Sequence, residues 1–170
     1  MTSTSLPTRR TLLLAGGAGL VLSGCGFKLR QTPDFAFQTI AMATTTAYLS
    51  QLRRAIDVTG RLTVLPMAEA ANAQTVFEVL SETRDSRVLS TNSAGQVREL
   101  QLFLRIRFRL RTPAGKELIA PADMLQSRDI TYNETAALAK ENETNLLYRD
   151  MVTDIVQQTL RRLAAVKSIS

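Results

Sequence analysis

Arg105, Arg107, Arg109 and Arg111 occupy alternate positions in one short stretch. Four guanidinium groups at that spacing suit the recognition of anions. On an extended backbone they stand about 6.6 Å apart along one face, close enough to repel one another unless acids or bound anions intervene. Either the face is solvated, with cross-strand pairs to Glu117 and Asp123, or it meets an acidic protein wall or the phosphates of a glycolipid, which arginine holds bidentately. Other chemistries are poorly supplied. The chain has no histidine, which removes the commonest general base and metal ligand, and its single cysteine is Cys25. No phosphate-binding glycine loop occurs after residue 24. Glu117 and Asp123 come nearest to a reactive carboxylate pair, but acids six apart around a sheet edge are usually solvated. The chain is expected to be no enzyme and to hold no metal or cofactor.

The arginines lie within a longer alternating run, residues 96–112. Leu100, Leu102, Leu104, Ile106, Phe108 and Leu110 fall on even positions, and Glu99, Gln101, Phe103 and the arginines on odd ones. An extended strand sends the first set to a core and the second away from it. Pro113, Ala114 and Gly115 suit a turn closed by a left-handed glycine, leading to a second strand over 116–131. If Thr112 faces Lys116, then Arg111 faces Glu117, Arg105 faces Asp123, Leu110 faces Leu118, Phe108 faces Ala120 and Leu104 faces Met124. Pro121 lacks a ladder donor, so the second strand is predicted to be an edge there or to carry a bulge. Its alternation decays at Gln126 and Arg128.

At the start of the chain, Arg9 and Arg10 precede an apolar run that ends in Leu22-Ser23-Gly24-Cys25. The run is short for a permanent membrane span, and a targeting segment is expected over 1–24. Leu-Ser-Gly-Cys resembles the lipobox of bacterial lipoproteins, which implies cleavage before Cys25 and a diacylglycerol and N-acyl lipid on that residue. Thr8-Arg9-Arg10 also resembles a twin-arginine export motif, and export by that route or the general one stays open. Loss of Arg9 and Arg10 lowers the net charge from +6 to +4. An exported basic protein meets acidic lipids and glycans, so nucleic acid is not an expected partner. Residues 25–33 are expected to form a lipidated tether and 34–166 a single domain.

Cys25-Gly26-Phe27-Lys28-Leu29-Arg30 resembles the opening of the LptE family, the lipopolysaccharide-assembly lipoproteins of the Gram-negative outer membrane. Gln31 departs from the glycine that often follows. Beyond it, 35–43 alternates loosely as a strand. Thr44, Thr45 and Thr46 offer a helix N-cap, Leu49, Leu52, Ala55 and Ile56 recur at helical spacing, and Gly60 stops the run. Residues 62–65 could be a short extended piece ended by Pro66, and 67–73 carries no clear pattern. Residues 74–88 read as a strand. Asn133 to Thr135 can cap a long helix reaching about residue 165, with Leu147, Met151, Val152, Ile155, Val156, Leu160 and Leu163 forming a wide apolar stripe.

Near the start of that helix, Ala137-Leu138-Ala139-Lys140-Glu141-Asn142-Glu143 resembles another LptE segment. The resemblance implies contact with lipopolysaccharide at Lys140, where residues alone would give an ordinary helix-surface lysine beside acids. A second basic residue of the family, just before the Gly-Gln that opens the long strand, is unmatched: Ser93 and Ala94 stand there, and Arg87 is too far away.

The expected fold is α+β, two helices on one face of a four-stranded, mostly antiparallel sheet. The resemblance implies a non-enzymatic lipoprotein of the outer membrane, facing the periplasm, that plugs and helps assemble the LptD β-barrel and assists lipopolysaccharide delivery to the cell surface. A periplasmic lipoprotein binding an acidic glycan or lipid, and an accessory subunit of another envelope export machine, stay open as alternatives.

Overall fold

The computed structural model describes residues 33–169. Cys25 and the targeting segment expected over 1–24 lie outside the described residues. In chain order come β1 (Thr39–Met42), α1 (Ala47–Thr59), β2 (Thr63–Pro66), a 3-10 helix (Met67–Asn72), β3 (Thr75–Thr91), β4 (Val97–Arg111), β5 (Glu117–Thr131), a 3-10 turn (Glu134–Ala136) and α2 (Ala137–Ala164).

The sheet has five strands rather than the expected four, ordered β2-β1-β3-β4-β5. The added strand is the piece ended by Pro66. At four residues it is too short to show a period, and its pairing comes from α1, which carries the chain over so that β2 lies parallel to β1, Thr39 beside Thr63. β1 also runs parallel to β3, while the long β3-β4 and β4-β5 ladders are antiparallel. The sheet is therefore mixed.

The alternation of β4 decides which face is covered. Leu102, Leu104, Ile106, Phe108 and Leu110 are buried, and Arg105 and Arg107 are exposed. Both helices pack on the buried side. From α1 come Tyr48, Leu49, Leu52 and Ile56, and from α2 Met151, Val152, Ile155, Val156, Leu160 and Leu163. Thr46 caps α1, its Oγ1 accepting from the Leu49 amide at 3.3 Å. Gly60 ends the helix in the left-handed conformation, φ 62°.

Around the β4-β5 turn, the Thr112 amide donates to the Lys116 carbonyl at 2.8 Å, and Arg111 stands opposite Glu117 as expected. Beyond that pair the expected register fails. Leu110 faces Ile119, Phe108 faces Ala122, Arg107 faces Asp123 and Ile106 faces Met124, because bulges flank Leu110 and the segment around Pro121 takes up two extra residues. The later loss of alternation has a different cause. Arg128 points to the helix side of the sheet, where its guanidinium meets Asp154 of α2.

One polar cluster is fully buried in this core. Thr159 Oγ1 donates to the Ile155 carbonyl at 2.8 Å, so the Tyr48 hydroxyl is the donor in its own 2.8 Å bond to Thr159. Burial pushes the Tyr48 phenol well above its usual range, and the Thr159 bond opposes that rise. Thr159→Val strands the Tyr48 hydroxyl and should cost about 1–3 kcal/mol in urea unfolding, the expense of a buried unsatisfied donor. Tyr48→Phe leaves Thr159 bonded to Ile155 and should cost less.

Candidate functional site: two basic surfaces

The structure divides the arginine row in two. Glu78 of β3 stands opposite Arg109, and its carboxylate takes both Arg109 and Arg111. Arg109 Nε donates to Oε2, while Arg111 Nη2 and Nε donate to Oε1 at 2.7 and 3.0 Å. The expected partners Glu117 and Asp123 are displaced from this role. They stand opposite Arg111 and Arg107 in the ladder, yet no ion pair forms between them among the described residues. One carboxylate reached from two alternate positions relieves the repulsion of those two arginines.

Arg105 and Arg107 are exposed, and among the described residues neither makes an ion pair or side-chain hydrogen bond. Arg105 borders a cavity of about 300 Å³ on the uncovered sheet face with Thr83, Asp85, Arg87, Phe103 and Leu125. The Arg87 guanidinium lies 5.2 Å from the Phe103 ring centre.

A second basic surface lies where the far end of the β3-β4 hairpin meets the start of α2. A cleft of about 560 Å³ is lined there by Ser90, Arg98, Glu99, Tyr132, Asn133 and Lys140, among others. Local chemistry builds it. The Tyr132 amide donates to the Arg98 carbonyl at 2.7 Å, tying the end of β5 to β4. Asn133 Oδ1 accepts from the Thr135 amide at 3.1 Å and turns the chain into the helix. Lys140 is then aimed back at the sheet, with Nζ 3.0 Å from Thr131 Oγ1 and 2.8 Å from Glu143 Oε2, and its side chain is only 19% exposed. The neighbouring acid expected for a plain helix lysine is present, but the position is a cleft wall rather than an open helix surface.

Arg98 was not singled out by the strand pattern, which counted only odd-numbered arginines. The cleft takes both Arg98 and Glu99 from β4, so strand parity carries no signal for it. The place held by Ser93 and Ala94 is the hairpin turn, where the Ala94 amide donates to Asn92 Oδ1 at 3.0 Å. Among the described residues no cluster of three or more His, Cys, Asp or Glu side chains could hold a metal. No described helix is long and apolar enough to cross a membrane.

The mixed five-stranded sheet with two helices on one face is the fold of small bacterial lipoproteins of known structure. The solution structure of an uncharacterized lipoprotein B from Nitrosomonas europaea superimposes with a TM-score of 0.70 at 31% identity, over 82% of this chain and 91% of that one. A rare lipoprotein B from Shewanella oneidensis, 19% identical, shares the fold with a TM-score of 0.62 over 75% of this chain and 92% of that one. The family model LptE, described as lipopolysaccharide-assembly, matches residues 36–163, and the chain belongs to the LptE family. LPS-assembly lipoprotein LptE of Pectobacterium atrosepticum is 29% identical over 158 residues, 91% of this chain and 84% of the relative. The Yersinia pestis protein of the same name is 28% identical, over 91% of this chain and 75% of the relative.

The Glu78 clamp makes a pH-dependent prediction. The hydrogen bond from Arg111 is the largest influence on Glu78, and it holds the carboxyl below its usual range, with Arg109 acting in the same direction against burial. A depressed carboxylate contributes stability above its unfolded pKa of about 4.3 and loses it as pH falls through the lower folded value. Glu78→Gln should therefore melt about 2–4 °C below wild type at neutral pH. The difference should close on acidification through that window, as followed by circular dichroism.

Proposed function

We propose that this chain is a non-enzymatic lipoprotein of the outer membrane, acylated at Cys25 and facing the periplasm, that plugs and helps assemble an LptD-like β-barrel and assists delivery of lipopolysaccharide. Family membership and similarity to LPS-assembly lipoproteins support the lipopolysaccharide-assembly role. The observation that carries the site is the cleft in which Lys140 and Arg98 stand together at the end of the β3-β4 hairpin. Two cations lining one cleft suit a phosphate-bearing headgroup, with Arg98 the bidentate donor and Lys140 a point charge held by Thr131 and Glu143.

The barrel reading assigns docking to Arg105 and Arg107. Both are exposed and carry no internal partner among the described residues, and the lumen of an outer-membrane barrel is polar. Arg109 and Arg111 are withdrawn from that role by Glu78. The helices cover the opposite, apolar face, so a polar wall could approach the sheet without disturbing the core.

Lipopolysaccharide binding tests the cleft. Lys140→Gln and Arg98→Gln should each weaken binding about tenfold or more, the scale of one charge-assisted hydrogen bond. Melting temperatures should stay within about two degrees, as expected of substitutions outside the core. Unchanged affinity in both variants would return the two residues to a purely structural role.

A further inference from the structure

A third recess, of about 240 Å³, lies on the helix side of the domain between the start of α1, the middle of α2 and β3. Gln51, Arg84, Asn145, Tyr148 and Arg149 supply its polar lining, with Ala47 and Val152 completing the wall, and no acid lines it. Asn145, Tyr148 and Arg149 come from one side of α2, spaced three and four residues apart. Ala47 is the first residue of α1, a helix with no acid in its first turn.

Arg84 is oriented but its donors are not taken up. Its guanidinium lies 5.1 Å from the Tyr148 ring centre, and that ring is fixed by a 2.9 Å hydrogen bond from the Tyr148 hydroxyl to the Asp85 carbonyl. Contact with a ring consumes no N–H donor of a guanidinium group. The nearest acid, Glu82, has Oε1 3.9 Å from Arg84 Nη2, attractive in charge but too far for a hydrogen bond. Among the described residues Arg149 has no ion pair or side-chain hydrogen bond. Gln51 is committed, with Nε2 2.8 Å from Thr153 Oγ1. Glu82 is thus a distant counter-ion for Arg84, its Oε2 buried without a hydrogen-bond partner among the described residues, and both guanidinium groups and the Asn145 amide line one small cavity with donor capacity left over.

We propose that this recess binds a phosphate monoester, gripped by Arg84 and Arg149 with the Asn145 amide as a further donor. A tetrahedral dianion presents several acceptor oxygens and can accept from both guanidinium groups at once. The site is separate from the Lys140 cleft. Arg149 lies nine positions along α2 from Lys140, about 13 Å, and Arg84 six positions along β3 from Ser90, about 20 Å. It goes beyond the lipopolysaccharide reading and does not need it.

The test uses the full-length chain purified from membranes in detergent, with nitrogen-15 labelling of arginine and asparagine side chains. Inorganic phosphate should produce saturable shifts at Arg84, Arg149 and Asn145. Arg84→Gln with Arg149→Gln should weaken phosphate binding by about tenfold to a hundredfold, while Lys140→Gln leaves it unchanged. Displacement of the phosphate by lipopolysaccharide would identify a glycolipid headgroup as the source, and retention of phosphate would identify a smaller phosphorylated compound; the site stands in either case. Shifts that do not saturate, or equal phosphate affinity in the double variant, would overturn it. The wild-type titration decides alone if the double variant does not fold. Loss of lipopolysaccharide binding in Lys140→Gln concerns the cleft only, so the two proposals can fail separately.

Discussion

The strict alternation of β4 is the constraint on which the rest of this structure depends. A strand that sends Leu102, Leu104, Ile106, Phe108 and Leu110 to one side must send Arg105, Arg107, Arg109 and Arg111 to the other. The apolar side fixes where α1 and α2 lie, because burying an aliphatic or aromatic side chain stabilises by about 1.5–3 kcal/mol and the buried side chains of both helices join those of β4 in one cluster. The arginine side then stays uncovered by this chain's own helices. Glu78 neutralises the end nearest the β4-β5 turn, and the unneutralised part of the row is Arg105 and Arg107.

The sheet edges follow from the same arrangement. β5 is a fifteen-residue edge strand, a length that invites pairing with other chains. It is interrupted by Pro121 and the bulges beside it, and charged residues recur along the remainder, Asp123, Arg128 and Asp129. These features oppose edge-to-edge association. At the other edge, β2 is only four residues long.

What the sequence made legible was periodic or local. The β4 pattern, the Thr46 cap, the Gly60 stop and the apolar stripe of the long helix all repeat or act over a few residues, so each could be read before any tertiary contact was known. β2 is too short to show a period and takes its strand form from pairing with β1. The β5 register could not follow from parity, because bulges insert residues that charge and apolar matching cannot count. Glu78 lies 31 residues from Arg109 on another strand, and Arg98 lines a cleft that forms only where the hairpin end meets the start of α2. Lys140 carried a role through family resemblance alone, and the cleft around it supplies the physical setting.

One strand carries two kinds of arginine, a pair held by Glu78 and an exposed pair, Arg105 and Arg107. The most direct test compares Arg105→Gln with Arg107→Gln against Arg109→Gln with Arg111→Gln in the full-length protein, measuring thermal melting and recovery of a β-barrel partner from membranes. The account predicts that the first double variant melts like wild type yet recovers much less barrel, whereas the second melts at a lower temperature because Glu78 is left without its cations. Equal melting of the two variants, or undiminished barrel recovery by the Arg105 and Arg107 variant at physiological salt, would contradict it.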